Sequence, residues 1–109
     1  MIPLDTQEQF EELWNSTSGK SFVIWFSAKW CGPCQRMDKA ALEQAAQDAG
    51  MELYYCDYTV NEYTPGYCNV RAFPTFQIIT SPHTVVAKLT NSNTDSVCSW
   101  ICSFLRKEQ

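Results

Sequence analysis

The sequence is poor in the features that mark membrane, secreted and nucleic-acid-binding proteins. No stretch approaches the roughly 18 apolar residues that a membrane-spanning helix requires. The opening segment, MIPLDTQEQF, contains neither a basic region nor an apolar run, so we expect no signal peptide. Basic residues number only eight against twelve acidic ones, which gives a formal net charge of −4. We therefore expect neither a membrane nor a nucleic acid as a partner.

Repeats, linkers and low-complexity tracts are also missing, so the sequence offers no domain boundary. A length of 109 residues suits one domain, and we expect residues 1–109 to form a single one. Hydrophobic residues make up 45% of the chain and aromatic residues 14%, which is enough for a packed core. Large aromatic residues expected in that core are Trp14, Trp25, Trp100, Tyr54, Tyr55, Tyr58, Tyr63 and Tyr67.

Ligands for a metal ion are scarce. The chain has one Cys-x-x-Cys segment, Cys31 to Cys34, and its single histidine, His83, falls in a predicted turn. A structural zinc site needs about four ligands, so we expect no metal. His83 is expected to be solvated, which leaves a cysteine nucleophile of the hydrolase type without its base.

Hydrophobic periodicity and turn signals predict a mixed α/β architecture. The predicted helices are Thr6 to about Ser16, opened by a capping box, then Cys34 to Ala49, closed by Gly50, a short one before Phe73, and Asp95 to Lys107. The predicted strands are Phe22 to Phe26, Met51 to Tyr58, Thr75 to Thr80 and Thr84 to Thr90. Strand–helix–strand connections favour parallel pairing around a central Phe22–Phe26 strand, and the final hairpin, turning at Ser81-Pro82-His83, adds antiparallel edge strands.

The segment WCGPC joins the first of these strands to the next helix. Cys31 precedes the helix, whose free N–H groups stabilise a thiolate, so we expect it at the exposed end as the nucleophile. Cys34 follows one turn later, where it can close a disulfide with Cys31 or attack a mixed disulfide there. Gly32 permits a tight bend, Pro33 suits the first helical turn, and Trp30 offers an apolar surface for another protein.

Together with Phe73-Pro74-Thr75 some forty residues later, this segment resembles the thioredoxin family over nearly the whole chain. The resemblance implies the thioredoxin fold, a central mixed β-sheet flanked by helices on both faces. It implies that Cys31 attacks and Cys34 resolves, with Pro74 in the cis form facing them and the Phe73 backbone open to a substrate strand. It also implies disulfide-containing target proteins, thioredoxin reductase or a small dithiol as electron donor, and no bound cofactor.

The sequence departs from the family pattern at three places. Trp25 occupies the position of a buried aspartate that accepts the proton of the resolving cysteine, so we expect slower exchange or a shifted pH optimum. Lys39 occupies the position of a helix-kinking proline, which predicts a straighter helix. Thr90-Asn91 replaces a glycine-containing loop beside the substrate groove, which leaves partner choice open.

The remaining cysteines allow several interpretations. Cys68 lies six residues before Pro74, near the expected active face, where it is either a regulatory thiol, a site of disulfide-linked dimerisation, or a partly exposed bystander. Cys56 is interpreted as a core residue, and Cys98 and Cys102 as packing residues of the last helix.

The sequence as a whole predicts a protein disulfide oxidoreductase, an electron carrier recycled by an outside reductase. The alternative is a thioredoxin-fold interaction module with little turnover. With no export signal found, six cysteines favour a reducing cytoplasm over a secreted disulfide framework. We expect a monomer, with a disulfide-linked dimer as a further option.

Overall fold

A computed structural model of the chain describes residues 1–104. Its strands are β1 (Ile2–Pro3), β2 (Ser21–Ser27), β3 (Glu52–Asp57), β4 (Thr75–Thr80) and β5 (Thr84–Thr90). Its helices are α1 (Gln7–Asn15), α2 (Gly32–Gln35), α3 (Lys39–Asp48), α4 (Tyr63–Tyr67) and α5 (Thr94–Cys102). None of the helices in this part of the chain is long and apolar enough to cross a membrane.

The strands form one mixed sheet in the order β1-β3-β2-β4-β5, with β2 at the centre as predicted. The pairs β1–β3 and β2–β3 are parallel, whereas β4 is antiparallel to both β2 and β5. The predicted hairpin is therefore confirmed, but of its two strands only β5 lies at an edge of the sheet, because β4 also pairs with β2. The two-residue strand β1 was not predicted, since so short a segment has no periodicity to detect.

Alternate residues of β2 enter two separate cores, which confirms helices on both faces of the sheet. Val23 and Trp25 contact one core, which is completed by α3 and α5. Phe22, Ile24 and Phe26 contact the other core, which includes the fully buried Phe10 of α1. Both faces of β2 are apolar because both are covered, as expected for a central strand.

The long helix predicted from Cys34 to Ala49 is wrong, because the chain leaves the helical conformation between α2 and α3. The carboxylate of Asp38 accepts the N–H of Ala41 at 3.1 Å and so begins a new helix. The Asp38 N–H in turn donates to Oγ1 of Thr94 at 3.2 Å. The expectation of a straighter helix fails with it. The predicted end is confirmed, since Gly50 has φ +77° and follows the last helical turn.

The other helix ends mostly agree with expectation. Thr6 forms the predicted capping box with Gln9 at the start of α1. The last helix begins at Thr94, capped by Asn93, one residue before the predicted start. The part of its predicted span beyond residue 104, including Arg106 and Lys107, lies outside the described residues.

The expectation that the large aromatic side chains are buried holds only in part. Trp25 is fully buried, whereas Trp14, Trp100, Tyr54 and Tyr55 are half-buried. Three of the tyrosines are exposed: Tyr58, Tyr63 and Tyr67. Tyr58 directly follows β3, and the other two lie on the short helix α4.

Candidate redox site

Cys31 and Cys34 form a disulfide at the beginning of α2, with their Cα atoms 5.3 Å apart. Cys31 is the N-cap residue of this helix, and its Sγ accepts the N–H of Cys34 at 3.3 Å. Pro33 lies in the first turn, where its missing N–H costs no helical hydrogen bond. A thiolate on Cys31 would therefore meet the free N–H groups of the helix, a position that stabilises negative charge.

The two sulfurs differ in their access to solvent. Cys31 retains 6% of its surface and Cys34 only 1%, so Cys31 is the more accessible of the pair but less exposed than expected. Both pack against Ala28 at the end of β2 and against the half-buried Phe73. Phe73 helps to cover Cys31, because its carbonyl oxygen lies 3.7 Å from Cys31 Sγ.

The segment facing the disulfide has the form that the resemblance implied. The Phe73–Pro74 peptide bond is cis, and Phe73 lies against the cysteine pair. A second cis bond, Ser81–Pro82, lies in the β4–β5 turn and was not predicted. The predicted substrate-binding roles stay predictions for all five residues concerned: Trp30, Gly32, Pro33, Phe73 and Pro74.

A group of exposed and half-buried aromatic rings, which we call the aromatic rim, borders the disulfide. It consists of Trp30, Tyr58 and Phe73. The Trp30 side chain is 65% exposed, and its ring centroid lies 5.6 Å from Phe73 and 6.3 Å from Tyr58, in edge-to-face contacts. Tyr58 was missed as a site residue. The parallel pairing of Ser27 with Asp57, with the Tyr58 N–H donating to Ser27 O at 2.8 Å, brings it to the active end.

Trp25 occupies the sequence position at which the family pattern has a carboxylate, and its side chain is buried in the core shared with α3 and α5. Its ring stacks on Phe76 at 5.8 Å and meets Tyr55 edge-on at 5.1 Å. Its Nε1 and the Ser27 hydroxyl are buried and have no hydrogen-bond partner among the described residues. Within residues 1–104, no carboxylate, imidazole or amine hydrogen-bonds to either sulfur of the pair. Among these residues, no general base is therefore in direct contact with Cys34.

The other cysteines are free thiols, and burial holds two of them in the protonated form. Cys56 is fully buried in the core, as predicted, and burial followed by the neighbouring Cys68 raises its pKa to about 12. Burial likewise raises the pKa of Cys68 to about 12, although Lys88 acts in the opposite direction. A regulatory role for Cys68 stays a prediction, and its raised pKa disfavours a reactive thiolate.

Cys98 and Cys102 of α5 both face α3, in agreement with a packing role. Their sulfurs lie 3.5 Å from the carbonyl oxygen of Ala41 and 3.9 Å from that of Ala45. Burial, with Cys102 and nearby carboxylates, raises the pKa of Cys98. Cys102 is nevertheless exposed.

His83 is exposed but not simply solvated. Its Nε2 lies 2.6 Å from Oδ1 of Asn15, and its backbone N–H donates to the carbonyl of Trp14 at 3.0 Å. In the part of the chain that the structure describes, no group of three or more histidine, cysteine, aspartate or glutamate side chains is arranged to hold a metal ion.

Comparisons with known proteins agree with this geometry. Residues 2–103 match the protein-family model described as Thioredoxin. The chain is 33% identical to a thioredoxin of Geodia cydonium over 78 residues, which cover 72% of this chain and 74% of the relative. It is 28% identical to a thioredoxin of Equus caballus, with coverage of 68% and 70%. The crystal structure of Fasciola hepatica thioredoxin superposes with a TM-score of 0.81 at 28% identity, covering 95% of this chain and 99% of that one.

Proposed function

This chain belongs to the thioredoxin family and is a thiol–disulfide oxidoreductase, and we propose that it reduces disulfides of target proteins through Cys31 and Cys34. The observation that carries the proposal is the placement of Cys31 Sγ at the first turn of α2, bonded to Cys34. An interaction module without turnover would need neither sulfur, so the intact pair disfavours that alternative.

The proposed reaction uses two exchanges. The thiolate of reduced Cys31 attacks one sulfur of the target disulfide, forming a mixed disulfide and releasing the other target sulfur as a thiolate. The sulfur of Cys34 then attacks Cys31 Sγ, which re-forms the Cys31–Cys34 disulfide and releases the second target thiol. The target gains two electrons and two protons, and the Cys31–Cys34 dithiol loses them.

The residues around the disulfide provide a docking surface for the target in this proposal. The aromatic rim offers exposed apolar rings to side chains that flank the target cystine. The Phe73 carbonyl, 3.7 Å from Cys31 Sγ, lies where an extended target backbone could pair with it. Trp30, Gly32, Pro33, Phe73 and Pro74 are the proposed substrate contacts, to which Tyr58 is added.

Proton transfer from Cys34 distinguishes this site from the pattern of its family. Because Trp25 replaces the expected carboxylate, we propose that the Cys34 proton leaves through water or directly to the departing target thiolate. A positioned general base typically accelerates proton transfer by about 10²–10⁴-fold. The second exchange is therefore expected to be slower here, or to require a higher pH, than in a carboxylate-containing relative.

The reduced form must be regenerated from outside, since the proposed cycle uses no bound cofactor. By family membership, the proposed donor is a flavin- and NADPH-dependent thioredoxin reductase, with a small dithiol as the other option. The protein then acts as an electron carrier, as a monomer. A cytoplasmic location is part of the proposal, supported by the four cysteines that form no disulfide: Cys56, Cys68, Cys98 and Cys102.

Turbidity of insulin in the presence of dithiothreitol tests the proposal. The wild-type chain is expected to accelerate insulin precipitation, and Cys31→Ser and Cys34→Ser should abolish the acceleration. Cys102→Ser serves as the matched control, because that thiol is exposed but lies on α5, and it should retain full activity. Equal inactivity of the wild type and the active-site variants would instead support the interaction module.

A further inference from the structure

A second candidate site lies at the end of the sheet remote from the disulfide. A cavity of about 410 Å³ is lined by Glu11, Trp14, Asn15, Tyr67 and His83. Thr75 of β4 pairs with Phe26 at the active end, whereas Thr80 pairs with Ser21 and leads into the turn that carries His83. Five residues of strand separate these ends by roughly 17 Å. The cavity is therefore independent of the redox site.

Aromatic rings form the walls of this cavity. The rings of Trp14 and Tyr67 stand nearly perpendicular, at 85°, with centroids 6.0 Å apart. The His83 ring lies 5.4 Å from Trp14 and is tilted by 49°. Because all three residues line the cavity, rings set at these angles can place one face each along it, an arrangement that suits a cation.

The walls are fixed by contacts behind them. Trp14 stacks at 5.6 Å on Phe10, which is fully buried, and Tyr67 contacts the same ring at 5.7 Å. His83 is held by the Trp14 carbonyl and by Asn15 Oδ1. The rings therefore need little reordering to receive a ligand, and such preorganisation favours binding.

The charge at the cavity favours a cation. Glu11 lies one helical turn before Asn15 and is the charged residue of the lining, which includes no lysine or arginine. The formal net charge of the chain is also negative, at −4. Tyr67 is 58% exposed, so the cavity is open to a ligand from solvent.

We propose that this cavity binds a trimethylammonium group, with the faces of Trp14, Tyr67 and His83 around the methyl groups and the Glu11 carboxylate at the rim. A trimethylammonium ion has no N–H to donate, so it is recognised by aromatic faces and by charge. The group could come from a free small molecule such as choline or from a trimethylated lysine side chain.

Titrations of ¹⁵N-labelled protein at pH 8, followed through the indole N–H signals, test the proposal. Choline is compared with 3,3-dimethylbutan-1-ol, a neutral molecule of the same shape, and a trimethyllysine peptide with its unmethylated form. In at least one of these two pairs, we expect the compound that carries the trimethylammonium group, choline or the methylated peptide, to bind at least fivefold more tightly than its counterpart. Binding of choline alone points to the free source, and binding of the peptide alone to the protein source.

Two pairs of variants locate the site. Tyr67→Leu and Glu11→Gln should each weaken binding about twofold or more, whereas Tyr63→Leu and Glu12→Gln, which change neighbours outside the cavity, should leave it unchanged. All four variants should reduce insulin at the wild-type rate, which also shows that they fold. Absence of binding to all four probes, equal affinity for the neutral isostere, or equal loss in the control variants would overturn the proposal.

Discussion

Replacement of Lys39 by proline is expected to stabilise this protein, although proline inside a helix normally does the opposite. Lys39 is the first residue of α3, and the preceding Asp38 caps that helix with φ −83° and ψ 102°. This extended conformation is the one that a residue before proline adopts. The amide of a first helical residue has no partner within the helix, so proline removes no helical hydrogen bond there.

The size of the expected stabilisation is set by the conformational entropy of the unfolded chain. A proline whose φ already fits the native structure stabilises a protein by about 0.4–1 kcal/mol, because it reduces the conformational entropy of the unfolded state. The Asp38 contacts with Ala41 and Thr94 are retained, since they use Asp38 atoms. The Lys39 side chain is exposed, so its loss removes no core packing.

Urea unfolding of the oxidised protein, followed by circular dichroism, measures the effect. Gln44→Pro is the matched control, because Gln44 is equally exposed but lies in the middle of α3, where proline costs about 3 kcal/mol or more. We expect a higher urea midpoint for Lys39→Pro and a much lower one for Gln44→Pro. If both variants are strongly destabilised, the helix continues through Lys39, and α2 and α3 are not separated by a break.

Three further predictions concern the thiols. At pH 8, Cys56 and Cys68 of the reduced protein should react with iodoacetamide roughly a thousandfold more slowly than a thiol of pKa 9.0, because burial raises both pKa values to about 12. Peptide maps that show these two cysteines labelled as fast as such a thiol would refute this. The thiols of Cys56 and Cys68 ionise at a lower pH in the unfolded chain than in the folded protein. The free energy of unfolding should therefore keep its full value below pH 9 and fall as the pH rises toward 12. Urea midpoints between pH 8 and pH 11 measure that fall, which Cys56→Ala should reduce; an unchanged profile contradicts it. Finally, if water accepts the Cys34 proton, single-turnover reduction of a protein disulfide limited by attack of Cys34 should accelerate by up to about tenfold per pH unit from pH 6 to 8. A plateau below pH 7 would show instead that a fixed base or the departing target thiolate accepts that proton.

The elements that local chemistry defines were predictable from the sequence. The capping box at Thr6, the apolar run through Phe22–Phe26 and the turn signal at Ser81-Pro82-His83 all lead to the observed elements. The break before α3 was missed because most of residues 34–49 are good helix formers. Asp38 is a local N-cap signal that could have marked it, whereas the bond from the Asp38 N–H to Thr94 joins residues distant in sequence.

The residues of the site also differ in whether local sequence could identify them. Cys31 and Cys34 were identified from their spacing and their position between a strand and a helix, which are local properties. Tyr58 was missed because its place beside Trp30 depends on the register of β2 and β3. The low exposure of Cys31 likewise depends on Phe73, which folding brings from 42 residues away.

The most direct test of the central claim is to trap the mixed disulfide with a purified protein disulfide and locate it by mass spectrometry. Cys34→Ser cannot complete the second exchange, so the account predicts one target molecule bound to Cys31 and none in the variant that also carries Cys31→Ser. An adduct at Cys68 or Cys102, or no adduct with either variant, would contradict the assignment of Cys31 as the attacking sulfur.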